Sequence, residues 1–305
     1  MPNPHNLSFF KGVYALLLTP FASDGSIDWD VYERYVDWQL AQHPHHLFAV
    51  CGSSEMLTLH LDERLRLAKT AVQQAGSTPV VVTANLEGSL EEQIEEVQQM
   101  EQTGVTGLVL TTKGMGNDQD QLLSYLFELA SHTSLPILMY EFPGHKPHHM
   151  HPETYRKLIE SGRFVGIKDT TCTQEGIQSK IDVAPDSVVL QANIPWLLDS
   201  LRTGAGGIMA TPSTAAAGLH RKLWDEASSG SNAAEDTHAQ LVSLSAMIGS
   251  SFPATAKYLV SCQGIPMTTV TRTKAELSSE QYRALQVWYE WAVRQQIMNA
   301  AKLGI

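Results

Sequence analysis

The chain is 305 residues long, 43% hydrophobic and 17% charged, which excludes a disordered protein and suits one large domain or a barrel with a small second unit. Its formal net charge of −11, with no Lys/Arg cluster, excludes sequence-independent nucleic-acid binding but leaves room for an anionic small molecule held by donors in a cleft. Three widely spaced cysteines, Cys51, Cys172 and Cys262, contain no C-x-x-C pair, which excludes a disulfide framework and points to a reducing compartment.

The first six residues lack the basic start and apolar core of a signal peptide, and no apolar run nears the ~20 residues of a membrane span. A cytoplasmic protein with no membrane partner is therefore expected. Short, β-rich apolar runs then recur at 13–19, 47–51, 80–84, 107–111, 137–140, 164–168, 187–191 and 207–210, and helical patterns separate them at 28–42, 61–75, 90–103, 119–131, 152–161, 174–183 and 195–202. Ser89 with Glu92 three residues on forms a capping-box pattern. Pro152 suits a first helical turn, and Gly104, Gly162 and Gly204 stand where left-handed caps close helices. Strands alternating with helices in this way predict an α/β fold, a (β/α)8 TIM barrel over 8–222. Beyond Thr211 the strand signal ceases; 213–226, 233–250, 254–264 and 278–301 read as helices, with a turn at Ser228-Ser229-Gly230-Ser231-Asn232. Residues 223–305 are expected to form a C-terminal helical domain.

Barrels of this kind gather their chemistry at the rim where the strands end. Lys168 closes the apolar run Phe164-Val165-Gly166-Ile167, and burial there would lower its pKa and leave a neutral amine able to attack a ketone. The alternative is a lysine paired with Asp169 or another acid. Tyr140 closes Ile137-Leu138-Met139 before a Pro143-Gly144 turn, 28 positions earlier, so both side chains could leave neighbouring strands at one end. A phenol there can carry protons, or can simply pack. The third strand end, Cys51-Gly52-Ser53-Ser54-Glu55, offers two hydroxyls and backbone N–H groups suited to a carboxylate, with helix capping as the alternative.

Other polar residues carry weaker signals. Asn85, Asn193 and Thr211 follow strands and could meet substrate or cap turns. Glu141 should face away from Tyr140 and make a structural pair. His43, His45 and His46, and His145, His148, His149 and His151, form two clusters that, His145 excepted, read as solvated loop residues; no metal site is expected, and the rival, a metal-dependent lyase, would be inhibited by chelators. Gly204, Gly206 and Gly207 precede a strand, the wrong end for a phosphate cradle, and suit close helix–strand packing.

Together these segments resemble the dihydrodipicolinate synthase and N-acetylneuraminate lyase family of pyruvate-type class I aldolases. The resemblance runs from Gly12-Val13-Tyr14-Ala15-Leu16-Leu17-Leu18-Thr19-Pro20-Phe21 to Gly204-Ala205-Gly206-Gly207-Ile208. The family's Tyr-x-x-Pro is matched by Tyr140 to Pro143 and its Gly-Ile-Lys-Asp/Glu by Gly166 to Asp169, while its Gly-Thr-Thr-Gly-Glu loop is matched by Gly52-Ser53-Ser54-Glu55 without the glycine before the glutamate. The resemblance implies that Lys168 forms the imine, Tyr140 carries protons, and Ser53 and Ser54 bind the carboxylate. Lys168, Tyr140 and Ser53 are thus the catalytic candidates, and Ser54, Gly52, His145, Asn193 and Ile208 the substrate-binding ones. Typical dihydrodipicolinate synthases have an arginine where His145 stands and a tyrosine pair where this chain reads Thr111-Thr112-Lys113-Gly114-Met115-Gly116. Both departures argue against the lysine-biosynthetic reaction.

The expected function is a Schiff-base lyase acting on a small-molecule 2-oxo acid, by reversible aldol cleavage releasing pyruvate or by dehydration of a 2-keto-3-deoxy sugar acid, with no cofactor. The alternatives are a catalytically inactive 2-oxo-acid-binding barrel, or a dihydrodipicolinate synthase despite the missing arginine. The resemblance implies a homotetramer built as a dimer of dimers.

Overall fold

The computed structural model describes residues 7–298. Each apolar run forms a strand buried along its whole length, as a parallel sheet requires when helices cover one face and its own side chains fill the other. The strands are β1 Gly12–Leu16, β2 His46–Ala49, β3 Val80–Thr83, β4 Gly107–Thr111, β5 Ile137–Tyr140, β6 Phe164–Asp169, β7 Val188–Gln191 and β8 Gly207–Ile208. They pair in sequence order, all parallel, and β8 closes on β1. Between them run α1 Trp29–Leu40, α2 Leu61–Ala75, α3 Leu90–Glu101, α4 Gln119–Ser131, α5 Pro152–Glu160, α6 Gln174–Val183 and α7 Leu197–Arg202. The result is a (β/α)8 TIM barrel.

Local chemistry sets the helix ends. Ser89 Oγ accepts from Glu92 N while the Glu92 side chain accepts from Ser89 N, a reciprocal capping box at the start of α3. Pro152 occupies the first turn of α5, and Gly104, Gly162 and Gly204 have φ of 86°, 73° and 111°, conformations costly for a residue with a Cβ.

Register decides which side chains face the barrel interior, because directly paired residues of parallel strands project to the same side. Tyr14 pairs with His46, Leu16 with Phe48, Phe48 with Val81, Thr83 with Val109, Thr111 with Tyr140, Tyr140 with Lys168 and Lys168 with Leu190. These line the interior. Their neighbours, including Asp169, Gln191 and Ile208, face the helices; the Gln191 amide accordingly donates to Ser200 Oγ on α7.

The floor of the barrel corrects the reading of the first histidine cluster. His46 begins β2, is buried, and stacks on Tyr14 at 4.3 Å; its Nε2 meets Phe9 O at 2.7 Å. Burial lowers its pKa to about 4, so it packs as a neutral aromatic. His45 is half-buried and its Nδ1 accepts the Val13 N–H. In the second cluster His148 is buried too. Solvation does not describe these three.

The domain boundary also moves. Helix α8, Ser213–Ser228, runs through residue 222 and packs on β1, with Leu16 N donating to Ser213 Oγ at 3.1 Å and Tyr35 of α1 donating to Thr214 O at 2.7 Å. It is the eighth barrel helix, so the division falls at the turn after Ser228. Helices α9 Ala233–Gly249, α10 Ala254–Cys262 and α11 Ser279–Arg294 form the C-terminal unit; the end of the last predicted helix, beyond 298, lies outside the described residues. Among those residues no helix is long and apolar enough to cross a membrane.

The seam between β8 and β1 explains the late glycines. A Cβ on Gly207 would lie 2.1 Å from Gly12 O, and one on Gly206 2.8 Å from Val188 Cγ1. Strand-to-strand approach demands these two, β8 against β1 for Gly207 and against β7 for Gly206, whereas a Cβ on Gly204 would lie 3.3 Å from Ile181 of α6, a helix contact. Gly207→Ala should therefore destabilise the fold by about 3 kcal/mol or prevent its closure, as read by urea denaturation. A midpoint equal to that of the unmodified protein would contradict this account of the seam.

Candidate active site

Lys168 is held inside the mouth of the barrel by the alternation of β6, and only 4% of it is exposed. Its Nζ lies 4.4 Å from the centre of the Tyr140 ring and 5.5 Å from that of Phe48. No acid reaches it. Asp169, the neighbour that might have paired with it, points outward, where its Oδ2 lies 2.5 Å from Lys180 Nζ on α6. Lys180 also lies 2.9 Å from Glu141, whose side chain leaves β5 on the same outer face, so Glu141 is structural as its position in the strand suggested. The three groups are nearly or wholly inaccessible to water.

Two effects compete at the Lys168 amine. The aromatic faces favour the ammonium by about 0.5–2 kcal/mol, whereas full burial can lower a lysine pKa by 3–5 units, each unit being about 1.4 kcal/mol. Desolvation wins, and it pushes the pKa from an ordinary 10.5 down to about 8, against an opposing influence from Cys51.

Tyr140 is buried beside Lys168, and desolvation raises its pKa well above that of a free phenol, so it stays a protonated donor near neutrality. Its ring is tilted on Phe142 at 5.4 Å and edge-on to Phe48 at 6.4 Å. The loop after β2 comes directly against it: a methyl group on Gly52 would sit 3.3 Å from the Tyr140 hydroxyl and 3.1 Å from Phe142. Gly52 therefore leaves the space in which that hydroxyl lies.

The two serines of this loop differ. Ser54 Oγ donates to Leu17 O at 2.6 Å and accepts from Cys51 N at 3.0 Å, capping the 3-10 turn Gly52–Ser54. Its hydroxyl is committed, which removes it from the expected carboxylate-binding pair. Ser53 is buried and its hydroxyl has no hydrogen-bond partner among the described residues. It alone keeps a free donor.

The remaining candidates scatter. Ile208 is on the outward register of β8, so its side chain packs among helices and cannot line the interior. His145 is half-buried and edge-on to Phe142 at 5.2 Å, and the Phe142 ring in turn packs on Tyr140. Its Nδ1 is buried without a partner, and burial, with the nearby Lys113 charge, lowers its pKa. Asn85 is spent on structure, exchanging hydrogen bonds with the Thr111 backbone and reaching the Tyr125 hydroxyl. Thr83 and Thr111, by contrast, turn unpartnered hydroxyls into the interior.

Asn193 and Thr211 line a cleft of about 410 Å³ at the C-terminal rim, with Cys172, Trp196 and, from the C-terminal unit, Ser245 and Phe252. Asn193 accepts from Cys172 Sγ at 2.9 Å. Lys168 is level with Leu190, three residues before Asn193, so the cleft begins about 10 Å further along the strand direction. Among the described residues no charged side chain lines it.

Lys168 inside the mouth, the Tyr140 phenol beside it and the loop that carries Ser53, which meets that phenol at Gly52, thus lie at one end of the barrel. Residues 9–290 match the family model described as the dihydrodipicolinate synthetase family. The chain belongs to this family. Its members are class I aldolases and lyases, and the chain is an enzyme of that kind. The 4-hydroxy-tetrahydrodipicolinate synthase of Cellvibrio japonicus is 27% identical over 282 residues, which cover 90% of this chain and 97% of that protein. The protein of the same name from Teredinibacter turnerae is 30% identical over 200 residues, 65% of this chain and 69% of its own. Among solved structures, YagE of Escherichia coli K12, in complex with pyruvate, matches with a TM-score of 0.85 at 23% identity over 94% of this chain and 98% of its own. CdNal of Clostridium difficile, in complex with mannosamine, matches at 0.85 and 17% identity over 92% and 99%. At such identities these two likenesses show the fold.

Sequence reading had passed over Lys180 although its helix announced it: Ile177, Lys180 and Ile181 share the buried stripe of α6. The depressed pKa of Lys168 has a measurable consequence for stability. The unfolded chain binds this proton up to about 10.5 and the folded chain only to about 8, so stability rises with pH across that window, and the penalty is present in full below it. Lys168→Met should be more stable than the unmodified protein at pH 7, by up to about 3 kcal/mol, with the advantage shrinking between pH 8 and 10.5. Urea denaturation of both across that range measures it; a pH-independent difference would show that the amine is not desolvated.

Proposed function

We propose that this chain is a Schiff-base lyase acting on a 2-oxo acid. The observation that carries the reading is the buried Lys168 amine, free of any acid and in contact with the Tyr140 ring. The neutral amine attacks C2 of the 2-oxo acid and water leaves, giving an imine. The imine accepts the electron pair released when a bond at C3 breaks. Ser53 and neighbouring N–H groups hold the carboxylate, and Tyr140 carries protons between the departing oxygen, the imine nitrogen and the substrate. Breaking the C3–C4 bond releases an aldehyde and leaves the enamine of pyruvate; losing the C3 proton instead allows a hydroxyl at C4 to depart as water from a 2-keto-3-deoxy sugar acid.

The polar groups further out favour a hydroxylated tail over a second carboxylate. The cleft at the rim is uncharged, with amide, hydroxyl and thiol groups that pair with hydroxyls. His145 stands where typical dihydrodipicolinate synthases place an arginine, and its lowered pKa leaves it neutral at pH 7. The nearby Lys113 ammonium is already engaged by the carbonyls of Leu86 and Glu87. We extend the proposal to a homotetramer, a dimer of dimers, although the loop after β4 is bound within its own chain, Gly116 N donating to Pro147 O and Thr112 Oγ1 to His148 O.

Incubation with pyruvate and borohydride should add one reduced adduct to Lys168, detected by peptide mass. Lys168→Ala should lose both adduct and turnover, whereas Tyr140→Phe should keep the adduct and turn over about 10² to 10⁴ times more slowly. No adduct with any 2-oxo acid would leave a binding barrel rather than an enzyme. With 2-keto-3-deoxy sugar acids as substrates, appearance of pyruvate identifies cleavage and appearance of a 2,5-dioxo product identifies dehydration. Turnover of neither, alongside rapid turnover of an aldehyde that carries its own carboxylate, would refute the hydroxylated tail.

A further inference from the structure

The loop that presents Ser53 is gripped from the far end of the chain. Glu55 ends the 3-10 turn in a left-handed conformation, φ 59°, unfavourable for a residue with a Cβ, and its side chain is buried. Glu55 Oε1 lies 2.8 Å from Lys257 Nζ on α10, and Glu55 Oε2 accepts from Thr273 N at 2.9 Å and from Thr273 Oγ1 at 3.0 Å. Lys257 is wholly buried; it also donates to Val270 O at 2.7 Å and stands 4.4 Å over the Phe21 ring. Arg272 donates to Thr58 O at 3.1 Å and forks onto both oxygens of Glu63 at 2.6 Å, holding the other end of the same loop.

Ser53 lies between two such anchors and has none through its own hydroxyl. On one side Ser54 is tied to Leu17 O, just past the end of β1; on the other Glu55 is tied to the C-terminal unit. We propose that Lys257 is a positioning residue of the active site: its ion pair with Glu55 sets the loop so that Ser53 meets the carboxylate of the 2-oxo acid, which makes the C-terminal helical unit a working part of the catalytic centre. The inference rests on the Schiff-base reading above and adds to it the control of the carboxylate subsite.

Electrostatics supplies the reason. A buried carboxylate whose cation is removed cannot stay unpaired, and the strained backbone at Glu55 gives it a way out by releasing the turn toward water, with Ser53 two residues away. Removing both charges takes away that pressure, because a buried pair replaced by uncharged groups of similar volume is often tolerated.

The test is the pyruvate concentration that gives half-maximal borohydride trapping on Lys168, measured for the unmodified protein, Lys257→Met, Glu55→Gln and the double variant, with thermal melting alongside. Lys257→Met should raise that concentration about tenfold or more, while the trapping rate at saturating pyruvate changes less. The double variant should return to within about threefold of the unmodified protein. A merely structural role would lower the melting temperature and leave half-saturation where it was, and that result in folded Lys257→Met overturns the proposal. Should Lys257→Met fail to fold, Glu55→Gln carries the test, since it keeps the volume and one acceptor for Thr273; about a threefold rise is expected, and no rise overturns the proposal. Absence of the adduct in the unmodified protein overturns the Schiff-base reading and this inference with it, whereas an adduct with unchanged half-saturation in the variants overturns this inference alone.

Discussion

The imine chemistry proposed for this barrel depends on keeping one amine, that of Lys168, out of water and away from any carboxylate. The nearest threat is covalently adjacent: Asp169 follows Lys168 directly, and an ion pair between them would hold the lysine as an ammonium. Strand alternation sends the two side chains to opposite faces of β6, and Lys180 on α6 then takes Asp169 at 2.5 Å and Glu141 at 2.9 Å. Both acids beside the reactive pair are thereby fixed on the outer face. One buried cation outside the barrel thus helps keep the one inside it free of acid partners.

The same separation of charge recurs through the molecule. Buried ion pairs lie on the outer side of the strands or at the junction with the C-terminal unit: Lys180 with Glu141 and Asp169, Arg64 with Glu96, Lys257 with Glu55. The interior is aromatic and aliphatic from the floor at Phe10, Tyr14 and neutral His46 to the walls at Phe48 and Tyr140. Buried ion pairs add little net stability, because desolvation offsets much of their attraction. Breaking one is costly all the same, and that asymmetry makes such pairs effective at fixing the segments they join.

How much of this could be read in advance follows from the range of each signal. The alternation of strands and helices is local, and so are the cap of α3 and the glycine φ values; β4, β5, α2, α4 and α6 have the expected bounds. The juxtaposition of Tyr140 and Lys168 needed only two strand ends and the right-handed connection between them. Ile208 was misplaced because its facing depends on a register closed by β8 on β1, a relation between the two ends of the barrel. Ser54 was misjudged because its partner, Leu17 O, belongs to another strand segment. His46 looked like a loop residue beside Pro44, yet it begins a strand and its environment comes from Tyr14 and Phe10. Lys257 and Glu55 meet across 202 positions, beyond the reach of any periodicity.

One electrostatic demand remains once substrate arrives. The 2-oxo acid proposed as substrate would bring its own carboxylate close to Lys168, and an anion held against that amine would raise its pKa and return it to the unreactive ammonium. The carboxylate must therefore be met by donors of its own, close enough to replace water and to hold it off the amine. A serine hydroxyl with adjacent N–H groups meets that requirement. In the proposed reaction that part falls to the uncommitted hydroxyl of Ser53, in a loop held from both sides. Holding that loop is then as much a condition of reactivity as desolvating the amine.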